Sequence, residues 1–503
     1  MQIVAAALAL ALALPKFDLG FLGFLSLVPL LALAEKRGLW PTAAAFFLSA
    51  FLSTLLILYW IPRVMVRYGG TTALLGAVGL AALAAFLSLW AALAGVLIRR
   101  ALASGLAGLW LIPTVWVAKD LIVENILGGF PWCLAGYSLH RDLWLVQLAE
   151  LGGVHLLTWL VVFVNALIFL AWRRRHQRLM LALALVLTLA AAHASGYLLL
   201  QRDERLRQGA ETERAGIVQP NANHDQVMDS AGSRARLERL LADSRDLVRR
   251  GARLVIWPEF TVPIYPESDP AARRRLTSFA STEAPLIAGF TDLRFDGVFN
   301  SLFLYDGDQT LVYDKVHLTP FGEYIPLRRW LFFVRRITDE ISDFSPGKEL
   351  RPLRWRSHSL ATPICYETIF PELVRGLVAS GGEVIINISN DSWYGLSSAP
   401  YQSLVMAALR AVENRRWLLR STSNGISALI DPAGRVLERM ELQREGRLVV
   451  SFQYLRRRTL FNRCGHLFPL LCLGLTALFF LAQGLPKGLR RVGRRHSSQR
   501  PIS

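Results

Sequence analysis

A polytopic α-helical membrane bundle of about eight spans, carrying an α/β domain between its last two spans, is the fold class this chain predicts. Its 503 residues are 53% hydrophobic and only 19% charged, with a mean hydropathy of +0.35, too apolar for an ordinary soluble enzyme, a disordered chain or a disulfide scaffold. The apolar residues are unevenly spread: 1–200 hold long apolar runs and few acids, whereas 212–455 read as a soluble domain. The 56 Lys and Arg outnumber the 38 Asp and Glu by 18, and this surplus lies in short clusters beside apolar runs and in the tail 487–500. Such clusters mark cytoplasmic loops, so the charge reads as a topology signal rather than as a nucleic-acid footprint.

Apolar segments occur at 2–15, 18–34, 42–62, 71–98, 105–122, 152–172, 179–200 and 466–485, long enough in most cases to cross a bilayer as a helix. The first two are short for a crossing and read as a tight hairpin around Pro15 and Gly20, which leaves seven or eight spans. A cleaved signal peptide at 1–15 is the alternative, against which Met1 and Gln2 supply no basic leader. With the N-terminus in the cytoplasm, the richer clusters Lys36/Arg37, Arg99/Arg100, Arg173/Arg174/Arg175/Arg178 and the tail all fall on the cytoplasmic side. Lys16, Arg63, Arg67, Lys119 and Arg141 fall on the other, and the large insert faces outward with them. Both termini are then cytoplasmic. The outer loop 128–137, rich in Phe130, Trp132 and Tyr137, reads as an interfacial aromatic belt in preference to an acyl-chain contact. The spans themselves read as free of the buried ionisable residues that mark a transport pathway.

Strand-like runs alternate with amphipathic helices through the insert, the pattern of an α/β layer fold. Runs at 215–219, 252–257, 285–290, 299–305, 310–313, 359–364 and 383–389 read as strands, with helices near 233–250 and 370–380. Three of these strands end at chemistry-bearing residues: Glu259 after Trp257-Pro258, Lys315 after Asp314, and Cys365 after Pro363-Ile364. A thiol at a strand end, with a helix N-terminus and an ammonium nearby to favour the thiolate, suits a nucleophile. A partly buried Glu259 can take and return its proton, and Lys315 can stabilise the oxyanion, so the three make a complete acyl-transfer set. Any one of them alone would read as a buried small hydrophobe, a turn acid or a solvated amine. With a single cysteine, Cys365, in the outer domain, Cys133 in a loop and Cys464 and Cys472 at the last span, no disulfide framework is expected, and a Cys133–Cys365 bridge would destroy the nucleophile.

These motifs, Trp257-Pro258-Glu259, the segment from Asp314-Lys315 to Phe321-Gly322-Glu323-Tyr324-Ile325-Pro326, and Ile364-Cys365-Tyr366-Glu367, resemble those of the nitrilase superfamily. The lengthened Lys motif, the segment Asn387 to Gly395 with Trp393, and Arg420 to Gly425 resemble more specifically its membrane-embedded branch, the apolipoprotein N-acyltransferases. The resemblance implies an α-β-β-α sandwich at 212–455 on a membrane domain at 1–205, a final span at 463–486 and a cytoplasmic tail at 487–503. It implies a ping-pong transfer in the bacterial inner membrane. The sn-1 acyl chain of a phospholipid, typically phosphatidylethanolamine, passes through a Cys365 thioester to the α-amino group of an S-diacylglyceryl cysteine heading an apolipoprotein. No metal or other cofactor is required.

On the same resemblance Glu259 is the base, Lys315 the oxyanion stabiliser and Cys365 the nucleophile. Glu323 orients Lys315, Tyr366 and Glu367 support the nucleophile, and Trp393 belongs to a mobile loop at the substrate entrance. Pro220, Met228 and Ser403 depart from the family pattern, where a Gly, an aromatic and a His are frequent. Two other readings compete: a membrane-tethered amidase releasing its acyl group to water, and a transporter or scaffold whose outer domain only binds.

Overall fold

The computed structural model describes residues 1–222, 229–324 and 343–484; Met228, the Ile325-Pro326 end of the Lys motif and the basic tail lie outside them. The N-terminal region comprises helices α1 (Gln2–Ala13), α2 (Val28–Lys36), α3 (Leu39–Ile57), α4 (Ile61–Tyr68), α5 (Ala73–Leu102), α6 (Gly108–Asn125), α7 (Ala149–Arg173) and α8 (Arg178–Arg207). Five described helical segments are long and apolar enough to cross a membrane: Leu39–Ile57, Ala73–Leu102, Gly105–Gly128, Leu145–Arg173 and Arg175–Arg207. The helix α1 and the closing apolar helix are shorter. The expected segment 18–34 is divided between a 3-10 turn, Gly20–Leu25, and the nine-residue α2, because Pro29 suits only a first helical turn. The bundle is built around α7, which is mostly buried, while α8 packs on it by one side through Leu185, Leu189 and Leu199 and leaves the other exposed, as a peripheral lipid-facing helix does.

From α8 the chain enters β1 (Thr212–Gln219), followed by α9 (Ser230–Arg249), β2 (Leu254–Ile256), α10 (Pro270–Thr282), β3 (Leu286–Arg294), β4 (Gly297–Asp306) and β5 (Gln309–Asp314). Next come β6 (Leu353–Trp355), β7 (His358–Ala361), α11 (Pro371–Ala379), β8 (Val384–Ser389), α12 (Ala399–Asn414), β9 (Leu418–Thr422), β10 (Ala428–Ile430), β11 (Val436–Arg439) and β12 (Gly446–Gln453). The last described elements are α13 (Leu460–Cys464) and α14 (Leu467–Gly484). The strands form two six-stranded sheets, ordered β12-β1-β2-β3-β4-β5 and β11-β10-β9-β8-β7-β6.

Alternation explains the layers. In β4, Leu302 and Leu304 enter the core between the sheets, while Phe303 and Tyr305 turn to the opposite face, where they meet Leu276 and Phe279 of α10. Both faces are apolar, so the strand reads as a continuous hydrophobic run. In β2, Leu254 and Ile256 likewise face the second sheet and Val255 the helix layer. The two sheets are also stitched by polar contacts, since the Ser421 hydroxyl of β9 donates to the Val218 carbonyl of β1. With α9 and α10 covering one outer face and α11 and α12 the other, the insert is an α-β-β-α sandwich, the layering the motifs imply.

The two regions share a core. Tyr366, Ile369, Phe370, Met406 and Leu409 of the sandwich pack in one cluster with Leu58, Trp60, Trp132 and Leu157 of the bundle. Gln402 of α12 is the polar centre of that junction: its carbonyl oxygen accepts from the indoles of Trp132 at 2.8 Å and Trp60 at 3.4 Å, and its amide donates to the Pro15 carbonyl at 3.0 Å. Buried Arg415 donates to Glu150 and Gln147 at 2.6 Å each, and Glu413 accepts the Val154 amide at 2.9 Å.

Two expectations are corrected here. Trp132 and Tyr137 are only 3% and 2% exposed, so they are not an interfacial belt; the Trp132 indole finds its acceptor inside the protein, in Gln402. The helices also do bury ionisable groups: Asp120, Glu124, Glu150 and His155 are each no more than 3–4% exposed. They lie at the ends of α6 and α7 nearest the sandwich, and the interior they enter is protein, not lipid.

Candidate active site

The approach of Glu259 is set by the buried strand β2. Trp257 anchors the exit by donating its indole N–H to Ser244 of α9 at 2.9 Å. Phe260 follows with φ +49, a left-handed conformation that costs a bulky residue energy and is held by its amide donating to the Gly289 carbonyl at 3.1 Å. Gly289 on β3 is required by closeness, since a Cβ there would lie 2.8 Å from the Glu259 Cα. The turn aims a carboxylate that is 2% exposed at Lys315.

Lys315 leaves β5, its amide bonded to the Asn300 carbonyl of β4 at 2.8 Å. Its ammonium lies 2.9 Å from Glu323 and 3.6 Å from Glu259 and donates to Thr319 at 3.3 Å. Burial alone would lower its pKa, but Glu323 and then Glu259 outweigh burial and hold it above its ordinary value, so it stays charged. For Glu259, burial dominates over the Lys315 charge and raises the pKa, which suits a carboxylate that must both accept and return a proton.

Asn300 is the residue sequence reasoning missed. Its amide donates to Glu259 Oε1 and to Glu323 Oε1, 2.7 Å each, so a single side chain fixes the spacing of the two acids. The available signal was a polar pair, Asn300-Ser301, inside the otherwise apolar run 299–305.

Cys365 opens a 3-10 turn, Cys365–Ile369, four residues beyond β7, and itself has φ +49. Glu367, fully buried, holds that turn to the lysine loop: it accepts the amides of Ile364 at 2.8 Å, Val316 at 2.7 Å and His317 at 3.0 Å, and the Tyr313 hydroxyl. Tyr366 reaches the other way and donates to the Gly129 carbonyl of the loop between α6 and α7 at 3.4 Å. Behind the nucleophile, wholly buried Arg420 pairs with Asp391 at 3.0 Å and donates to Asn387 and to Ser403. The departure at Ser403 thus keeps a hydroxyl on Arg420.

The expected thiolate is corrected by the electrostatics. Burial first, and then the Glu259 carboxylate, push the Cys365 thiol up to about 12, against the opposing pull of Lys315. Cys365 heads a 3-10 turn and is not at the N-terminus of the following helix, α11, which begins at Pro371. The resting nucleophile is a thiol, which needs a base beside it. All four cysteines are free.

Glu259, Lys315, Cys365 and Glu323 are therefore brought together in one buried electrostatic unit, and Tyr366 and Glu367 flank it. Trp393 stands apart, half-buried on the ring of Tyr68 of α4 at 4.6 Å, where the Tyr68 hydroxyl also donates to the Ser392 carbonyl. Such a unit supports covalent acyl transfer: a base, a nucleophile and a fixed cation.

Residues 6–167 match the family profile described as the apolipoprotein N-acyltransferase N-terminal domain, and 214–458 match that of carbon-nitrogen hydrolases. The apolipoprotein N-acyltransferase of Geobacter metallireducens is 30% identical over 94% of this chain and 92% of its own length. That of Gloeobacter violaceus is 31% identical over 97% and 94%. Among solved structures, an amidase from Nesterenkonia sp., 23% identical, covers 50% of this chain and 93% of its own, at a TM-score of 0.38. With relatives of this similarity spanning nearly the full length of both chains, the protein belongs to the apolipoprotein N-acyltransferase family, membrane-bound acyltransferases of the nitrilase superfamily.

Proposed function

We propose that the enzyme moves the sn-1 acyl chain of a phospholipid, phosphatidylethanolamine in the first instance, onto the α-amino group of the S-diacylglyceryl cysteine that heads an apolipoprotein. The observation that carries this reading is the convergence of Glu259, Lys315 and Cys365 on one buried point whose flanking residue Tyr366 belongs to the core shared with the membrane helices. Glu259 takes the proton of the Cys365 thiol, and the sulfur attacks the ester carbonyl while Lys315 stabilises the oxyanion. Collapse expels the glycerol oxygen, which takes the proton back from Glu259, and lysophospholipid leaves a thioester on Cys365. The acceptor's free amine then attacks the thioester, giving its proton to Glu259. The amide forms as sulfur departs, and Glu259 restores the thiol.

Glu323 orients Lys315 with Asn300 and Thr319, Glu367 sets the distance between the lysine and cysteine loops, and Trp393 with Tyr68 forms part of the rim. The sandwich at 212–455 is the catalytic unit and lies on the periplasmic face of the inner membrane, with both termini in the cytoplasm. Keeping both lipid substrates in the bilayer spares the enzyme their extraction, which costs about 0.8 kcal/mol per CH₂.

Incubation with phosphatidylethanolamine labelled in its sn-1 chain and a diacylated lipopeptide tests the reading. Triacylated peptide and a Cys365 acyl adduct, absent in Cys365→Ser, are expected. Free fatty acid without triacylated peptide would identify a hydrolase instead. Alkaline phosphatase fused at Gly209 should be active and at Arg174 inactive; the reverse pattern would overturn the orientation.

A further inference from the structure

A second buried cluster lies outside the catalytic unit, where the bundle meets the sandwich. Glu124 near the end of α6, His155 near the start of α7 and His466 just before α14 bring their ligand atoms within 4.8 Å of one another. The Glu124 carboxylate lies 3.1 Å from His155 Nε2 through one oxygen and 3.4 Å from His466 Nε2 through the other. The side chains of His155, Glu124 and His466 are 0%, 2% and 10% exposed. His155 and His466 both ion-pair with Glu124, but the pairing is misaligned: among the described residues no well-directed hydrogen bond reaches either nitrogen of His155, Glu124 Oε2 or His466 Nε2. Buried polar atoms are rarely left so, since each costs about 1–3 kcal/mol.

We propose that Glu124, His155 and His466 bind a divalent ion of the zinc class, which pins the ends of α6, α7 and α14 beneath the sandwich. Two imidazoles and one carboxylate are a ligand set zinc takes, with a fourth position left to water. Bond lengths of about 2.0–2.2 Å in tetrahedral geometry place neighbouring ligand atoms about 3.3–3.5 Å apart; the two imidazole-to-carboxylate distances, each to a different oxygen, are near this, and all three ligand atoms lie within 4.8 Å of one another, so binding would draw the groups slightly together. The groups come from α6, α7 and the turn between α13 and α14, so an ion would cross-link segments remote in sequence, and it would satisfy every misaligned atom but one His155 nitrogen. An entry path exists, because His466 also lines a surface cleft with Ile122, Arg375, Arg463 and Leu470. The ion would act at a distance from the chemistry: the Glu124 carbonyl packs so closely on Gly129 that a Cβ there would lie 1.9 Å away, and Gly129 receives the Tyr366 hydroxyl beside the nucleophile.

The test uses detergent-purified full-length protein dialysed with zinc, with metal counted by plasma mass spectrometry and cobalt substitution read by its visible ligand-field absorption. One zinc per chain, a tetrahedral cobalt spectrum and a zinc-dependent rise in melting temperature are expected. His466→Ala, at the cleft wall, should bind at least about tenfold more weakly and lose the thermal shift, and Glu124→Gln should do the same, with circular dichroism confirming helix content. Wild type that retains no ion and shows no thermal response overturns the proposal, as does a His466→Ala protein that binds zinc as wild type does.

Discussion

Around Lys315 every buried carboxylate oxygen has a donor, whereas around Glu124 several buried polar atoms have none. Glu259, Glu323 and Glu367 together receive the Asn300 amide, the Lys315 ammonium, the Tyr313 hydroxyl and five backbone N–H groups. The carboxylates of the first site are fully served within the protein, with only Asn300 Oδ1 left over among the described residues, and are ready for charge to develop beside them; the second keeps misaligned imidazole nitrogens that an added ion would satisfy. Two clusters equally buried thus differ in what they ask of their surroundings, and partner counting separates them where burial does not.

The sharpest way to break the complete site is to remove a member of the trio. Cys365→Ala, Lys315→Met and Glu259→Gln should each lower triacylated product by about 10³-fold or more, measured on labelled phospholipid, with the last two also losing the Cys365 adduct. A variant that still acylates Cys365 at the normal rate would remove that residue from its role.

Next in size is Glu367→Gln, which keeps the shape but turns one acceptor into a donor facing an amide. A fall in kcat of about 10–100-fold with little change in KM is expected, since no substrate contact is lost. The same variant has a pH signature. Burial raises the Glu367 carboxyl from 4.5 to about 7, with its backbone donors pulling the other way. A folded value above the unfolded one means the folded state holds the proton more tightly, so this contribution is present below about pH 4.5 and lost as pH rises through about 7. Thermal unfolding of wild type should weaken across that window more than that of Glu367→Gln; identical slopes would show the group titrates normally.

Weaker again is Gln402→Ala, which leaves two buried indole N–H groups without an acceptor and should cost about 3 kcal/mol of stability, read as a lower melting temperature with the reaction's kcat near normal. The smallest effect belongs to Arg239→Ala: its pair with Glu445 is 67% and 45% exposed, so a loss of no more than about 0.5 kcal/mol is expected.

Much of the sandwich is legible because its strands are short apolar runs closed by polar residues, and a rigid strand end is where a sequence can say that a side chain will be presented. Glu259, Lys315 and Cys365 are found that way. Asn300 and Gly289 are not, because each acts from the middle of a strand toward a neighbour brought alongside by pairing, which no local pattern records. Trp132 illustrates the same limit in reverse: an aromatic in an outer loop reads as a membrane-surface residue until Gln402, 270 positions away, supplies its acceptor. The thiol's state escapes the sequence for a related reason, since the charge beside Cys365 is visible there while the depth of its burial is not.

The pairing of β1 with β12 carries a consequence for how such a molecule can be assembled. Thr212 lies opposite Gln453 in an antiparallel ladder, so the chain enters and leaves the sandwich through adjacent strands, about 5 Å apart. To the membrane helices on either side, a catalytic body of some two hundred and forty residues presents the same boundary as a tight turn. A module with its two ends side by side can be gained, exchanged or folded as a unit, while the helices that flank it keep the spacing they would have had without it.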